Sequence, residues 1–428
     1  MHYHIKPSKL HGTISIPASK SHTLRAILFA SLAHGRSVIH HYLHSPDTHA
    51  MIKACQLLGA TISISERSLH IVGTGGKPHT PTDVIDAGNS GQVLRFIGAV
   101  AALASGYTII TGDLSIRTKR PVQPLLEGLT HLGVFAVSAQ NNGSAPIIIK
   151  GPLRGGVTHL NGEDSQPVSA LLIGAAFAPH PTVIHVEQPG ETPWIELTLD
   201  WFKRLNIAYQ CEGYTQYTVM GNTAYTGFEY TVPGDFSSCA FPLAAALLTG
   251  SELVLNNLDM QDAQGDKALI LALQDMGAVI DIDEVHRTLT VRRSPRLLGK
   301  TLDVNNYIDA VPILAVLACF AEGETVITGA AIARKKESDR LATMTQTLQK
   351  MGANITELED GLRILPAGLS GARVSSFEDH RIAMALTVAA LSAQGETIIE
   401  NTDCVEKSYP NFVQSLQTLG ACIQVFHE

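Results

Sequence analysis

Residues 57–62 read LLGATI, and this pattern, a helix end running into a strand, recurs along the chain. A glycine or asparagine punctuates each copy, where a helix C-terminus favours a residue that tolerates left-handed backbone angles. The chain is therefore interpreted as six copies of one structural unit. The other copies are HLGVFA at residue 131, RLNIAY at 204, DMGAVI at 275, KMGANI at 350 and TLGACI at 418.

A second pattern recurs in phase with the first, as a turn followed by a β-rich run such as HGRSVIHHYL at residue 34. Before each run lies a segment that is apolar nearly all round, such as FPLAAALL at residue 241. Helices without a polar face are usually buried. Each unit is expected to hold a buried helix, a strand, an amphipathic helix and further short strands. Three units around shared buried helices would make one domain.

Composition sets the broad class. With 428 residues, 45% of them hydrophobic and 16% charged, the chain predicts two globular domains of about 200 residues each. The net charge of −8 argues against a nucleic-acid or acidic-membrane partner.

The domain boundaries are predicted from two chain crossings. The first buried helix is expected to begin only at Ser21, so the strand before it can join the other domain. The run YTVPG, residues 230–234, marks the second crossing. The predicted domains are residues 1–17 with 232–428, and residues 18–231. Two crossings predict a hinge and a cleft that closes.

Cysteines and the chain start indicate the compartment. The six cysteines form no CxxC pair or metal-binding spacing, and we expect reduced, mostly buried thiols. The start MHYHIKPSKL lacks an apolar signal segment, and no run is long enough to span a membrane. A cytoplasmic protein without a membrane partner is expected.

The stretch IPASKSHTLR, residues 16–25, predicts an anion site. A proline ends an extended run, and a Ser/Lys/Ser turn opens a helix with unpaired N–H groups at its start. Lys20 and Arg25 add positive charge, and Ser21 adds a hydroxyl. Taken alone, the stretch fits a capped helix with solvated cations equally well.

Polar residues also begin the other buried helices. N-caps account for the serines, aspartates and asparagines at these starts. They do not account for Lys20, Arg25, Arg95, Gln166 or Arg381. The starts read GNSGQVLR at residue 88, GEDSQPVS at 162, GDFSSCAF at 234, NNYIDAVP at 305 and FEDHRIAM at 377.

Three further charged segments fall at equivalent places in the repeats. SIRTKRP supplies Arg120, and CVEKSYPNF supplies Lys407. IARKKESDR supplies Lys336, Glu337 and Arg340, with Lys336 and Arg340 expected on one helical face. Each segment alone fits a solvated cluster. Together they predict a cationic cleft for a multiply charged anion, such as a molecule carrying a carboxylate and a phosphate.

From PASKSHTLR to EKSYPNF, these motifs resemble the 5-enolpyruvylshikimate-3-phosphate synthase family of enolpyruvyl transferases over nearly the whole chain. The resemblance implies an α/β fold of two inside-out α/β-prism globules, each of three βαβαββ repeats, joined by a two-strand hinge. It implies transfer of the enolpyruvyl group of phosphoenolpyruvate to the 5-hydroxyl of shikimate 3-phosphate, with release of phosphate. This reaction serves chorismate and aromatic amino acid synthesis and needs no metal or cofactor. Small-molecule partners and a monomer are expected.

The resemblance also implies site residues. Asp309, Glu337, Lys20 and Lys407 match the catalytic positions, with the acid and base roles left open. The donor phosphoenolpyruvate is expected to contact Lys20, Gly91, Arg120, Gln166, Arg340, Arg381 and Lys407. The acceptor is expected to contact Lys20, Ser21, Arg25, Ser165, Gln166, Asp309 and Lys336.

Departures from the family pattern lie on the acceptor side. Asp164 and Glu191 stand where the family has serines that bind the acceptor phosphate, and Trp194 replaces a tyrosine. Two alternatives therefore stay open: an enolpyruvyl transferase for another hydroxyl acceptor, or a catalytically silent binding homologue. A sister enzyme acting on a UDP-amino sugar is disfavoured, because it uses a loop cysteine and no cysteine lies between Cys55 and Cys211.

Overall fold

A computed structural model describes residues 1–427 and confirms an α/β fold. In chain order the strands are β1 (His2–Lys6), β2 (His11–Ser15), β3 (Arg36–His40), β4 (Thr61–Ile64), β5 (Ser68–Val72), β6 (Ile85–Asp86), β7 (Tyr107–Thr111), β8 (Phe135–Ser138), β9 (Ile147–Lys150), β10 (Gly156–Asn161), β11 (Thr182–Glu187), β12 (Tyr209–Glu212), β13 (Gln216–Val219), β14 (Glu229–Thr231), β15 (Glu252–Asn256), β16 (Ile280–Asp283), β17 (Thr288–Val291), β18 (Thr301–Asp303), β19 (Thr325–Thr328), β20 (Asn354–Leu358), β21 (Gly361–Leu365), β22 (Arg373–Ser375), β23 (Thr397–Glu400) and β24 (Cys422–Phe426).

The helices alternate with these strands. They are α1 (Lys20–Leu32), α2 (Pro46–Leu57), α3 (Gly91–Ala101), α4 (Leu114–Thr118), α5 (Gln123–His131), α6 (Ser165–Phe177), α7 (Thr192–Arg204), α8 (Phe236–Thr249), α9 (Ala268–Asp275), α10 (Val311–Phe320), α11 (Arg340–Lys350), α12 (His380–Ser392) and α13 (Phe412–Thr418). Short 3₁₀ helices span Gly265–Lys267, Asn305–Ala310, Ala331–Lys335 and Thr402–Lys407.

The chain folds into two compact units, each with its own apolar core. The N-terminal unit is Ala18–Val232, and the C-terminal unit is Met1–Pro17 with Pro233–Glu428. Within residues 1–427, each unit contains three four-stranded sheets. In every sheet the first two strands are parallel and the other neighbours are antiparallel, which is the expected βαβαββ pattern. The strand orders are β14-β3-β5-β4, β6-β7-β9-β8 and β10-β11-β13-β12 in the N-terminal unit, and β2-β15-β17-β16, β18-β19-β21-β20 and β22-β23-β1-β24 in the C-terminal unit.

Strands from the chain crossings complete three of these sheets. In the N-terminal unit, β14 pairs in parallel with β3 of the first repeat. In the C-terminal unit, β2 pairs in parallel with β15, and β1 lies between β23 and β24 in antiparallel pairing. The N-terminal strands therefore belong to the same unit as the C-terminal half of the chain.

Nearly every residue of the apolar helices α1, α3, α6, α8, α10 and α12 is buried. In the C-terminal unit, α8, α10 and α12 pack against one another. Helices with no polar face can lose so much exposure only in a core, because each buried apolar side chain contributes roughly 1.5–3 kcal/mol. The sheets cover these helices, and the polar helix starts remain for other roles.

The predicted helix ends are confirmed. One residue beyond the C-caps of α2, α5, α7, α9, α11 and α13, the backbone adopts a positive φ. This angle is cheap for glycine and tolerable for asparagine, which explains the punctuation in all six repeats. The positions are Gly59 (105°), Gly133 (78°), Asn206 (54°), Gly277 (101°), Gly352 (93°) and Gly420 (106°).

The sequence predicts that no segment spans a membrane and that most thiols are buried. None of the described helices is long and apolar enough to cross a membrane. All six cysteines, which lie within the described residues, are free. Only three of them are buried, whereas Cys211 and Cys422 are exposed, so the expectation of mostly buried thiols is only half right.

Candidate active site

The first turns of α1 and α3 lie close together in the N-terminal unit. Their N-caps are Ser19 and Ser90, which accept hydrogen bonds from first-turn N–H groups. Helix α1 thus begins at Lys20, one residue earlier than expected. The Gln92 side chain in α3 donates to Ser21 Oγ in α1 over 3.2 Å. Two positive helix ends therefore lie in one region of this unit.

Arg95 ties the start of α6 to the same region. Its side chain is only 2% exposed, and it donates to Gln166 Oε1 over 2.9 Å and to the Pro121 carbonyl over 2.7 Å. Its Nη2 lies 3.0 Å from Asp164 Oδ2, and Asp164 is the N-cap of α6. A buried guanidinium with this many partners has little freedom to move.

Gly91, the first residue of α3, leaves no room for a side chain. A Cβ atom at this position would lie 2.7 Å from Arg95 Nη1, 3.1 Å from Arg120 Nη1 and 3.3 Å from Gln166 Oε1. Arg120 is 4% exposed. Three of the residues expected to bind phosphoenolpyruvate, Gly91, Arg120 and Gln166, thus lie together in this unit.

Lys20 is linked to the start of α3 through an aspartate. Its Nζ lies 3.5 Å from Asp47 Oδ2. The same oxygen accepts a hydrogen bond from Ser90 Oγ over 3.0 Å. Asp47 therefore fixes the lysine beside a capped helix start, and it neutralises part of the lysine's charge.

Arg25 is engaged by protein groups. Its Nε donates to Thr198 Oγ1 over 3.0 Å, and its terminal nitrogens donate to the carbonyls of Ser21 and Trp194 over 3.3 and 3.2 Å. Burial lowers the pKa of Arg25 to about 9, which still leaves it charged at neutral pH. The sequence suggested that the guanidinium group of Arg25 binds a ligand. In the structure, this group joins α1 to α7.

The two acids that depart from the family pattern both have donors. Asp164 pairs with Arg95 and accepts from the Gln166 N–H group over 3.0 Å. Glu191, which is 1% exposed, accepts from both the backbone N–H and the hydroxyl of Ser165 over 3.2 Å each. Neither acid is therefore a bare charge, and Ser165 is bonded to Glu191.

The C-terminal unit gathers its charges around Arg340, the first residue of α11. The guanidinium is 1% exposed and bonds three acids. It donates to Asp309 over 2.8 Å, to Glu337 over 2.9 Å and to Asp379 over 2.9 Å. Since Asp309 lies in the 3₁₀ helix before α10 and Asp379 caps α12, one side chain joins three helix starts.

Two more cations complete this cluster. Arg381 donates to Asp309 Oδ2 over 2.8 Å, and Lys407 donates to Glu337 Oε1 over 2.8 Å. Both oxygens of Asp309 and both oxygens of Glu337 are thus bonded to cations, since Arg340 takes the other oxygen of each. Five residues expected at the site are therefore brought together within one unit.

These pairs shift the protonation of their members. Burial alone would raise the pKa of Asp309, but the charges of Arg381, Arg340 and Lys336 hold it well below its usual value. Burial would lower the pKa of Arg340, yet its acids raise it further above the usual range. As the structure stands, Asp309 is an ionised carboxylate and a weak base.

Lys336 and Arg340 do not share a helical face, so that expectation was wrong. The 3₁₀ helix Ala331–Lys335 ends before Lys336, and α11 begins only at Arg340. Asp339 accepts from the N–H groups of Leu341 and Ala342, which fixes the helix start after the lysine. Lys336 still acts on Asp309 through its charge.

One group of side chains in this cluster has the spacing of a metal site. Ligand atoms of Glu337, Asp379 and His380 lie within 4.8 Å of one another. However, Arg340 bonds both acids and Lys407 bonds Glu337, so positive charge already balances them. The donor set fits an arginine and a lysine without a metal ion.

Sequence reasoning did not single out Asp47, Asp266 or Asp379. Each bonds a residue or a helix cap far away in the chain, which local spacing does not reveal. For Asp379 a signal was present, because EDHR at the start of an apolar helix is an N-cap pattern.

Buried arginines and lysines pair with acids at helix starts, on units of three βαβαββ repeats. The family model for EPSP synthase (3-phosphoshikimate 1-carboxyvinyltransferase) matches residues 5–416. The chain belongs to this family.

Individual relatives agree. The chain is 42% identical to a 3-phosphoshikimate 1-carboxyvinyltransferase of Acetivibrio thermocellus, with 98% of each chain covered. It is 44% identical to the same-named protein of Chlamydia pneumoniae, and the match covers 100% of this chain and 95% of that protein. A solved structure of EPSP synthase from Acinetobacter baumannii matches with a TM-score of 0.84 and 28% identity over 100% of both chains.

Proposed function

We propose that the protein transfers the enolpyruvyl group of phosphoenolpyruvate to the 5-hydroxyl of shikimate 3-phosphate and releases phosphate, in the pathway to chorismate and aromatic amino acids. The observation that carries this proposal is the pairing of Asp309 with both Arg340 and Arg381. A carboxylate held by two guanidinium groups is a geometry that a substrate carboxylate can take over. Family membership supports the same reaction.

Positively charged side chains bind the donor. Guanidinium groups suit its carboxylate, and lysines suit its phosphate as point charges. Gly91 borders this set because a side chain there would collide with Arg95 and Arg120. The proposed donor residues are Lys20, Gly91, Arg120, Gln166, Arg340, Arg381 and Lys407.

The acceptor meets hydroxyl, amide and charged groups. Asp164 pairs with Arg95, so it adds no bare negative charge that would repel an acceptor phosphate. Arg25 acts through α1 and α7, since its donors bond protein groups. The proposed acceptor residues are Lys20, Ser21, Arg25, Ser165, Gln166, Asp309 and Lys336.

Donor binding activates the base. When Arg340 and Arg381 turn to the donor carboxylate, Asp309 loses two of the three positive charges that depress its pKa. Asp309 then takes the proton of the acceptor hydroxyl as its oxygen bonds to C2 of the donor. Substrate binding and base strength are thereby coupled through two arginines.

Glu337 and Lys407 serve the other proton transfers. When Arg340 turns to the donor, Glu337 loses one of the two cations that keep it ionised and takes up a proton from solvent. In the addition step, Glu337 delivers this proton to the methylene carbon C3 of the donor. In the elimination step, Glu337 takes a proton back from C3 as the C2–O bond to phosphate breaks. The proton held by Asp309 leaves with the phosphate, and Lys407 balances the charge of this departing group. Their 2.8 Å pairing keeps an acid and a cation side by side.

The remaining expectations stand as part of the proposal. The protein acts as a cytoplasmic monomer on small molecules, without a nucleic-acid or membrane partner and without a metal or cofactor.

The reaction is tested by measuring phosphate release from phosphoenolpyruvate with shikimate 3-phosphate and with a panel of other hydroxyl acceptors. Release with shikimate 3-phosphate, together with the enolpyruvyl ether in the mass spectrum, supports the proposal. Release with another acceptor alone keeps the chemistry and replaces the substrate. Binding without release identifies a silent homologue.

A further inference from the structure

Asp266 is a buried carboxyl group of the C-terminal unit that the proposed reaction does not use. It lies in the 3₁₀ helix Gly265–Lys267 and is only 3% exposed. Its Oδ2 accepts a hydrogen bond from the hydroxyl of Ser237, in the first turn of α8. Its Oδ1 is buried and has no hydrogen-bond partner. An ionised carboxylate with a buried, unbonded oxygen is more costly than a protonated one, because an unpaired charge is harder to bury than a neutral polar group.

The groups around Asp266 connect it to the acid–base cluster. Its 3₁₀ helix packs against the 3₁₀ helix Asn305–Ala310, which carries Asp309. The charges that act on it from neighbouring elements are Asp309, Arg381 and, at the N-cap of α8, Asp235. On its own element, Lys267 donates to the carbonyls of Met260 and Asp262, so it is held by the backbone.

We propose that Asp266 is a positioning residue that acts through Asp309 and Arg381 and sets the charge of the acid–base site by holding or releasing a proton. In this role, Asp266 contacts neither the donor nor the acceptor. The inference rests on the proposed function for the identity of the ligand that Arg381 binds.

Opposing electrostatic effects bring the pKa of Asp266 close to neutral pH. Burial and the negative charge of Asp309 raise the pKa of Asp266 to about 7, while Arg381 and the Ser237 hydroxyl oppose the rise. Below that pH the carboxyl is neutral. Above it, a second negative charge stands near Asp309 and Arg381. That charge strengthens Asp309 as a base and weakens the attraction of Arg381 for an anionic donor.

The test compares Asp266→Asn with the wild type, because asparagine imitates the protonated acid at every pH. The Michaelis constant for phosphoenolpyruvate is measured for both proteins between about pH 6 and about pH 8. The ratio of the two values cancels the ionisation of the substrate. We expect a ratio near one at the low end and a wild-type constant roughly tenfold higher at the high end, the size of a one-unit shift. A ratio that does not change with pH overturns the proposal.

Ser237→Ala supplies a directional check. Removing a hydroxyl that stabilises the ionised carboxyl raises the pKa of Asp266, so the inflection in the ratio should move to higher pH. An unmoved inflection contradicts the assignment to Asp266.

A measurement without catalysis separates this inference from the proposed function. The infrared band of a protonated carboxyl group should disappear from the wild-type protein near neutral pH and be missing in Asp266→Asn. If the band titrates and no turnover occurs, the proposed function fails and the carboxyl assignment stands. If turnover occurs and the variant retains the band, the inference about Asp266 is wrong.

Discussion

Arg340 and Asp309 lie 31 residues apart in the chain and are bonded over 2.8 Å between the guanidinium Nη1 and the carboxylate Oδ1. Arg381 holds the other oxygen of Asp309. The proposed reaction depends on this bond being exchangeable, since the donor carboxylate must take the place of Asp309.

Replacing Arg340 with lysine should therefore weaken donor use strongly. A lysine ammonium group lacks the planar guanidinium fork whose separate nitrogens reach Asp309, Glu337 and Asp379. Each lost charge-assisted hydrogen bond costs about 1.5–3 kcal/mol. We expect kcat/KM for phosphoenolpyruvate to fall by at least roughly 10²-fold, measured by steady-state kinetics with the donor varied. Arg292→Lys is the matched control, because Arg292 pairs with Asp281 at the surface. Equal losses in both variants would remove Arg340 from the donor site.

Gly91→Ala should raise the Michaelis constant for the donor. The new methyl group would meet Arg95 Nη1 at 2.7 Å, and Arg95 is held by Gln166 and the Pro121 carbonyl, so it has little room to yield. A displacement of this size costs roughly 10–10²-fold in a positioned site. Gly368→Ala is the control, since nothing lies within 4 Å of a Cβ atom there. An unchanged Michaelis constant would place the donor elsewhere.

Glu337→Gln should lower kcat far more than a comparable change elsewhere. A positioned proton-transfer group is worth roughly 10²–10⁴-fold in rate, and glutamine keeps the shape of the side chain while removing the acid. Glu357→Gln is the control, because Glu357 pairs with Arg334 outside the cluster. Retention of near-full turnover by Glu337→Gln excludes Glu337 from the chemistry.

The local signals in the sequence were sufficient for the repeat and its helix ends. A positive φ after a helix is decided by the residue that stands there, so Gly59 and its counterparts could be recognised from spacing alone. The buried helices were equally evident, because a helix without a polar face is stable only in the core of a domain.

The charged clusters depend on partners distant in the chain and were predicted only in part. Arg340 bonds Asp379 across 39 residues, and Arg95 bonds Gln166 across 71. The helical face assumed for Lys336 and Arg340 was wrong because Asp339, a cap, lies between them and starts the helix later. The helix start is set by the Asp339 cap and not by the spacing of the charges, and the folded backbone is needed to see where the helix begins.

The stability of the protein should carry the signature of Asp266. Its pKa of about 7 in the folded chain lies above its ordinary value of 3.8. As the pH rises from 3.8 to about 7, the unfolded chain releases this proton while the folded chain still holds it. The free energy of unfolding therefore falls over this pH range. Asp266→Asn lacks this loss. Its melting temperature relative to the wild type should therefore be higher at about pH 7.5 than at about pH 4.5, by calorimetry. A difference that is constant with pH would contradict a raised pKa.

The proposed enolpyruvyl transfer uses shikimate 3-phosphate as the acceptor despite the acids Asp164 and Glu191. The most direct test is kcat/KM for shikimate 3-phosphate against unphosphorylated shikimate, for the wild type and for Asp164→Ser/Glu191→Ser. Because Arg95 and Ser165 already satisfy these acids, the wild type should strongly prefer the phosphorylated acceptor and release one phosphate per enolpyruvyl ether formed. A wild type that prefers shikimate, with the preference reversed by the double substitution, would show that shikimate 3-phosphate is not the acceptor.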